Sequence, residues 1–148
     1  MAGQTVAIAC DHAGFNLKSL LKGDLEAAGF DVLDLGTDGT DSVDYPDFGY
    51  ALADAIADGR AEKGVLVCGS GIGISIAANR NPAVRAAVVT DSLSARLTRQ
   101  HNDANVVCFG ERLVGSEIAR DAMKVFLETE FEGGRHARRV DKLSHPQT

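Results

Sequence analysis

The sequence has no tryptophan, only three cysteines and three prolines, and few aromatic residues, 5% of the chain. Thiols at positions 10, 68 and 108 are too few and too far apart for a disulfide scaffold. Two of them lie in apolar, strand-like runs, so reduced cysteines in a cytoplasmic protein are expected. Positive charge is also in deficit: 15 Lys and Arg stand against 21 Asp and Glu, a net charge of −6 that argues against general nucleic-acid affinity. No apolar stretch approaches the ~18 residues of a membrane span. The opening Met-Ala-Gly-Gln-Thr lacks a basic segment followed by a hydrophobic one, so no secretory leader is expected.

What is present suits one compact domain over residues 1–148, with 45% hydrophobic residues to build its core. Apolar runs alternate with helix-period segments along the chain, without an internal repeat or a low-complexity tract, which is the pattern of a parallel α/β sheet. Strands are expected at Val6–Cys10, Val32–Leu35, Gly64–Val67, Ala86–Val89 and Val106–Gly110. They are short and rich in β-branched residues, as buried parallel strands should be. A first helix carries Phe15, Leu17, Leu20, Leu21 and Leu25 and stops at Gly29; a second enters at Pro46 and stops at Gly59. A third follows Cys68. The fourth starts near Asp91-Ser92 and the fifth near Ser116, both suitable N-caps, and the pattern breaks at Glu132-Gly-Gly134 before a basic tail.

The most informative segment is Gly64-Val-Leu-Val-Cys68-Gly-Ser-Gly-Ile-Gly-Ile-Ser75, a thiol at the end of a strand that turns through three glycines into a helix. Glycines 69, 71 and 73 let backbone N–H groups converge, and the helix adds its unpaired amides and positive dipole end. That end is worth roughly 0.3–1 kcal/mol, less than one unit of thiol pKa, so other groups must help if Cys68 is a base. A buried cysteine in a Gly-rich turn is also simply core. Named phosphate loops fail on spacing. No Lys-Ser/Thr pair follows the last glycine, the pattern is G-x-G-x-G after the third strand, and Ile74 occupies the place of a phosphatase arginine. An anion cradle carrying a thiol remains.

Ligands of open parallel sheets bind outside the carboxyl ends of the strands. Strand one ends in Asp11-His12-Ala-Gly14, strand three in the Cys68 loop, strand four in Thr90-Asp91 and strand five in Gly110-Glu-Arg112. His101-Asn102 follows the fourth helix, just before the next strand. Each residue has a structural reading as well: Asp11 suits an N-cap, His12 and His101 a packed interior, Arg112 a surface, and Arg135-His136-Ala-Arg138-Arg139 a solvated helix end. Taken together they point to a small-molecule enzyme acting on an anion.

The chain resembles the ribose-5-phosphate isomerase type B family, which also holds galactose-6-phosphate isomerase subunits. Six segments in order carry the resemblance: Cys10-Asp-His-Ala-Gly-Phe15, Asp44-Tyr-Pro46, Cys68 to Ser75, Ala77-Ala-Asn79, Arg99-Gln-His-Asn102 and Glu132-Gly-Gly-Arg-His136. The resemblance implies a Rossmann-like three-layer αβα sandwich with a five-stranded parallel sheet. It further implies a metal-free, cofactor-free aldose–ketose isomerase of the pentose phosphate pathway that moves a proton between C2 and C1 through an enediolate. The family's base corresponds to Cys68. Some members use a carboxylate later in the loop, where this chain has Ile74, and Ser70 keeps the hydroxyl that other members carry on Thr.

By the same resemblance His101 opens the sugar ring with Asp11 assisting, and Asn102 contacts the sugar. His12, Arg112, Arg135 and Arg139 hold the phosphate, for which arginine's planar fork is well suited. The amides of Gly69, Ser70, Gly71, Ile72 and Gly73 are expected to stabilise charge on the substrate oxygen and to help hold Cys68 as thiolate. The arginines of the tail, residues 132–148, reach the partner's site in the family, so a homodimer with shared sites is expected, with Gly134-Arg135 at the contact. Cys10 and Cys108 are assigned to the core. Tyr45 either lines the sugar pocket or packs at a helix start, and His145 lies in a tail expected to be disordered. Allose 6-phosphate and galactose 6-phosphate are alternative substrates. A non-catalytic phosphate- or nucleotide-binding module, or a redox-responsive one, is the alternative class.

Overall fold

A computed structural model describes residues 3–146. Five strands, β1 (Thr5–Cys10), β2 (Asp31–Asp34), β3 (Lys63–Cys68), β4 (Ala86–Val88) and β5 (Val106–Gly110), form one all-parallel sheet in the order β2-β1-β3-β5-β4. Six helices, α1 (Phe15–Ala27), α2 (Tyr45–Ala57), α3 (Ile72–Ala78), α4 (Ser92–Asn102), α5 (Ser116–Glu128) and α6 (Arg135–Ser144), complete a three-layer, Rossmann-like sandwich. A 3-10 turn, His12–Gly14, leads into α1.

The strands alternate their loads. Val6, Ile8, Val65, Val67, Val107 and Phe109 face Leu17, Leu21, Ala95, Ala119, Ala122 and Phe126, which places α1, α4 and α5 on one side. Ala7, Ala9, Leu66, Cys68 and Cys108 face Leu52, Ala53, Ile74 and Ala78, which places α2 and α3 on the other. Two faces buried on every central strand are what make these strands read as unbroken apolar runs. Cys10 and Cys108 are fully enclosed, as expected for core thiols. Burial pushes the Cys10 thiol up to about 11 and raises Cys108 further, so both stay protonated.

The chain leaves β1 to one side for β2 and crosses to the other for β3, so the carboxyl ends of β1 and β3 flank a topological switch point. Asp11 and Cys68 sit at those two ends. Around β1 the fold is fastened by a buried cation: Lys18, 3% exposed, donates to both Asp34 carboxylate oxygens at 3.0 and 2.9 Å, and Lys22 adds a third contact at 3.1 Å. Burial raises the Asp34 carboxyl, but the Gly36 N–H and the two ammonium groups more than reverse this and hold it below the usual range. Its contribution to stability is therefore present above about pH 4 and is lost as pH falls through the depressed folded value. Asp34→Asn should cost about 2–4 kcal/mol, because it leaves Lys18 charged and underpaired in the interior. Urea unfolding at pH 7 and pH 3 checks this: the two proteins should differ at neutral pH and converge in acid.

Three local expectations are corrected. The basic tail is helical over 135–144, in keeping with the solvated helix end read there, but His145 is not the disordered chain expected, since its N–H donates to the Asp141 carbonyl at 3.1 Å; the last two residues of that tail lie outside the described ones. Gly115, not Ser116, caps α5, and His101-Asn102 form the last turn of α4 rather than following it. Asp91 does cap α4, accepting the Ser94 N–H at 2.6 Å, whereas Asp11 caps the 3-10 turn ahead of α1 through the Ala13 and Gly14 amides.

Candidate active site

β3 delivers Cys68 to the rim and the chain reverses at once. Gly71 adopts φ +78° with its backbone against Phe109, where an added Cβ would lie 2.8 Å from the Phe109 carbonyl carbon. This turn aims the Gly71 N–H at the Cys68 sulfur, 3.1 Å away, while the Ile72 N–H is taken by the Ser70 hydroxyl at 3.1 Å. Cys68 is 4% exposed and Gly71 buried, whereas Gly69, Ser70 and Gly73 are partly open and Ile72 is exposed. The loop after β5 clips onto this one: the Glu111 N–H donates to the Cys68 carbonyl at 2.9 Å and the Arg112 N–H to the Gly69 carbonyl at 3.0 Å. The Arg112 guanidinium consequently lies over Gly69, with Nη1 3.3 Å from where a Cβ would stand.

Asp11, 6% exposed, stands at the neighbouring strand end, its N–H on the Val67 carbonyl at 3.3 Å. His12 accepts the Val43 N–H at Nδ1, 3.1 Å, which places its own proton on Nε2 as a free donor. Tyr45 is the first residue of α2, and its ring packs on Gly73. The first group is thus a rim of acid, imidazole, thiol, amides and guanidinium around the switch point.

The second group lies elsewhere. α4 starts beyond the carboxyl end of β4 and its 11 residues, about 16 Å at roughly 1.5 Å per residue, carry the chain back to the amino end of β5. His101 and Asn102 are on that last turn, so the structure does not bring them to Cys68 within one chain. Arg99 fixes the turn: it is 6% exposed, donates to the Asp103 carboxylate, the Ala104 carbonyl and the Thr129 carbonyl at 2.8, 2.8 and 2.9 Å, and lies over the Phe126 ring. α6 packs beside it, pinned at its far end by Arg85, whose Nη1 reaches the Ser144 hydroxyl at 3.1 Å. Arg135 and Arg139 project from α6 exposed.

His136 carries no role in the sequence reading, yet it is buried against His101, the rings stacked 4.5 Å apart at 17°, with Glu132 3.7 Å from its Nε2. Burial, then the proximity of His101 and of Arg135, lowers its pKa despite the Glu132 carboxylate, so it is neutral at pH 7. The sequence signal was the i,i+4 pair Glu132 and His136 inside a quoted motif.

A thiol in a glycine turn that receives an amide N–H, beside a guanidinium at a sheet switch point, is an arrangement suited to an α/β enzyme that handles a small anion. The chain belongs to the family whose model is described as Ribose/Galactose Isomerase, which matches residues 6–143, and it is an isomerase. It is 44% identical over 139 residues to ribose-5-phosphate isomerase B of Escherichia coli K12, covering 94% of this chain and 93% of that one. The structure of Clostridium thermocellum ribose-5-phosphate isomerase B superposes with a TM-score of 0.94 at 49% identity, over 95% of both chains. That of Mycoplasma genitalium ribose-5-phosphate isomerase B with bound ribulose 5-phosphate gives 0.92 at 38% identity, over 97% of this chain and 96% of that one. No helix among the described residues is long and apolar enough to cross a membrane.

Proposed function

We propose that the chain interconverts ribose 5-phosphate and ribulose 5-phosphate, with Cys68 as the base that carries the proton between C2 and C1. The observation that carries this reading is the Cys68 loop, in which a buried sulfur receives an amide N–H beside a row of further amides and a guanidinium. Removing a proton beside a carbonyl puts charge on oxygen, and preorganised donors in such a loop stabilise it without having to reorient. Of the amides from Gly69 to Gly73, that of Gly71 supports the sulfur and that of Ile72 holds the Ser70 hydroxyl, leaving those of Gly69, Ser70 and Gly73 to serve that oxygen. Ser70 keeps the loop in shape through Ile72 and offers its hydroxyl to the sugar.

The phosphate lies against the His12 Nε2–H and Arg112 on the first rim, and against Arg135 and Arg139 supplied by a second copy of the chain. His101, assisted across the interface by Asp11, opens the ring, and Asn102 contacts the sugar. A homodimer with shared sites is part of this reading, which the placement of the two groups at opposite ends of the strands supports. Apolar residues flank the intervening β4 edge: Ile72 and Ile76 on α3 and Leu93 and Leu97 on α4 form exposed i,i+4 pairs, the first three more than half exposed. These exposed apolar pairs support that edge as the seam between the two chains. Residues 132–146 then belong to the partner's site. The reaction needs no metal or cofactor, and the reduced thiols suit a cytoplasmic enzyme of the pentose phosphate pathway.

The test is turnover of ribose 5-phosphate with EDTA present and with galactose 6-phosphate and allose 6-phosphate run in parallel. Pentose turnover that EDTA leaves unchanged is expected. Turnover of a hexose alone would keep the chemistry and change the substrate; turnover of none would return the chain to a binding module.

A further inference from the structure

We propose that His101, Glu132 and His136 form a binding site for a divalent ion of the zinc class, whose occupation takes the His101 imidazole out of use. Among the described residues this is the one group of three or more His, Cys, Asp and Glu side chains whose ligand atoms all lie within 4.8 Å of one another. Two imidazoles and a carboxylate are the donor set of a tetrahedral zinc with one position open to water. The three come from the last turn of α4, the segment ahead of α6 and the first turn of α6, which are fixed to one another. The Glu132 N–H donates to the Gln100 carbonyl at 3.2 Å, α6 follows directly, and the His101–His136 stack closes the contact.

Ligand atoms about a tetrahedral zinc lie about 3.4 Å apart, from Zn–N bonds of roughly 2.05 Å. His136 Nε2 and Glu132 Oε1 are already 3.7 Å apart. The remaining adjustment is a splaying of the stack, in which the less buried His101 swings its ring edge toward the pair. Glu132 is half exposed and free to follow. Its negative charge favours the ion, while the nearby Arg135 and Arg139 oppose it, so the site should be weaker than a dedicated structural one. The same neighbours make it reversible rather than resident.

Binding rests on the cluster alone; inhibition rests also on the role proposed above for His101. Zn2+ is titrated by calorimetry into the full chain in chelator-free buffer, with Co2+ absorption in parallel and isomerase activity read at each occupancy. The expected result is one ion per chain, tetrahedral Co2+ bands, and loss of activity at the same occupancy that EDTA restores. Glu132→Gln and His136→Asn should each weaken binding by at least roughly tenfold. Glu132→Gln should need more Zn2+ than the unsubstituted chain to lose the same fraction of its own metal-free rate, and Cys68→Ala should retain the stoichiometry. Unchanged binding in both cluster variants, or binding lost in Cys68→Ala, would assign the metal to the thiol and overturn the proposal, as would no binding at all. If Zn2+ binds as expected to a chain that turns over no sugar phosphate, the metal site stands and the isomerase reading of this substrate fails.

Discussion

Cys68→Ala should lower kcat for ribose 5-phosphate by roughly a hundred- to ten-thousand-fold, the range that a positioned proton carrier supplies, with KM moving far less. The asymmetry follows from where the groups sit. In the proposed mechanism the phosphate contacts come from His12 and the arginines, none of which touches the sulfur, so substrate should still dock when the thiol is gone. What is lost is the one group at the end of β3 that can take a carbon-bound proton. Stability should fall by about 1–3 kcal/mol, since one buried sulfur is removed and the buried Gly71 N–H loses its acceptor. Cys108→Ala is the matched control. Its thiol lies on the same face of the sheet, in the same apolar cluster, and is fully enclosed. Burial keeps it protonated, so its loss should cost stability through a cavity and leave kcat alone. Measuring kcat, KM and the urea midpoint for both variants checks this. A Cys68→Ala enzyme within a few-fold of wild type would remove the thiol from the mechanism.

The strands were legible to within a residue at most ends because each central one is buried on both faces, leaving no polar residue inside the run to blur its limits. The Cys68 loop was legible for a different reason: only a turn with its backbone packed on Phe109 and a φ of +78° at Gly71 needs that density of glycine. α6 was not. Arg135–Ser144 presents one buried side chain, His136, so no apolar stripe marks a helix, and its hold on the fold comes through Arg85 and the histidine stack. That stack joins residues 35 positions apart, a contact set by how α6 packs across α4 and by nothing in local pattern. Reading His101 as lying beyond α4 also hid a consequence of the topology. A helix that returns from the carboxyl end of one parallel strand to the amino end of the next must place its last turn far from the rim.

The second large effect concerns that separation. If the chain forms the proposed dimer, Cys68→Ala and His101→Asn should each be nearly inactive as homodimers, yet a dimer with one chain of each should recover about half the activity of the wild-type dimer. If each site takes Cys68 from one chain and His101 from the other, the mixed dimer holds one site with both defects and one with neither. If both residues acted within a single chain, every site in the mixed dimer would carry a defect and none would work. Within one chain Cys68 ends β3 at the carboxyl edge of the sheet, while His101 closes α4 beside the amino end of β5. No side-chain rotation spans a sheet. Coexpressing the two variants with different tags and purifying the doubly tagged species isolates the mixed dimer, so the comparison does not depend on exchange in solution. Recovery of a full site's activity establishes the exchange of residues between chains. A mixed dimer as inactive as its parents would exclude it, and would require His101 to act from an arrangement of α4 other than the one seen.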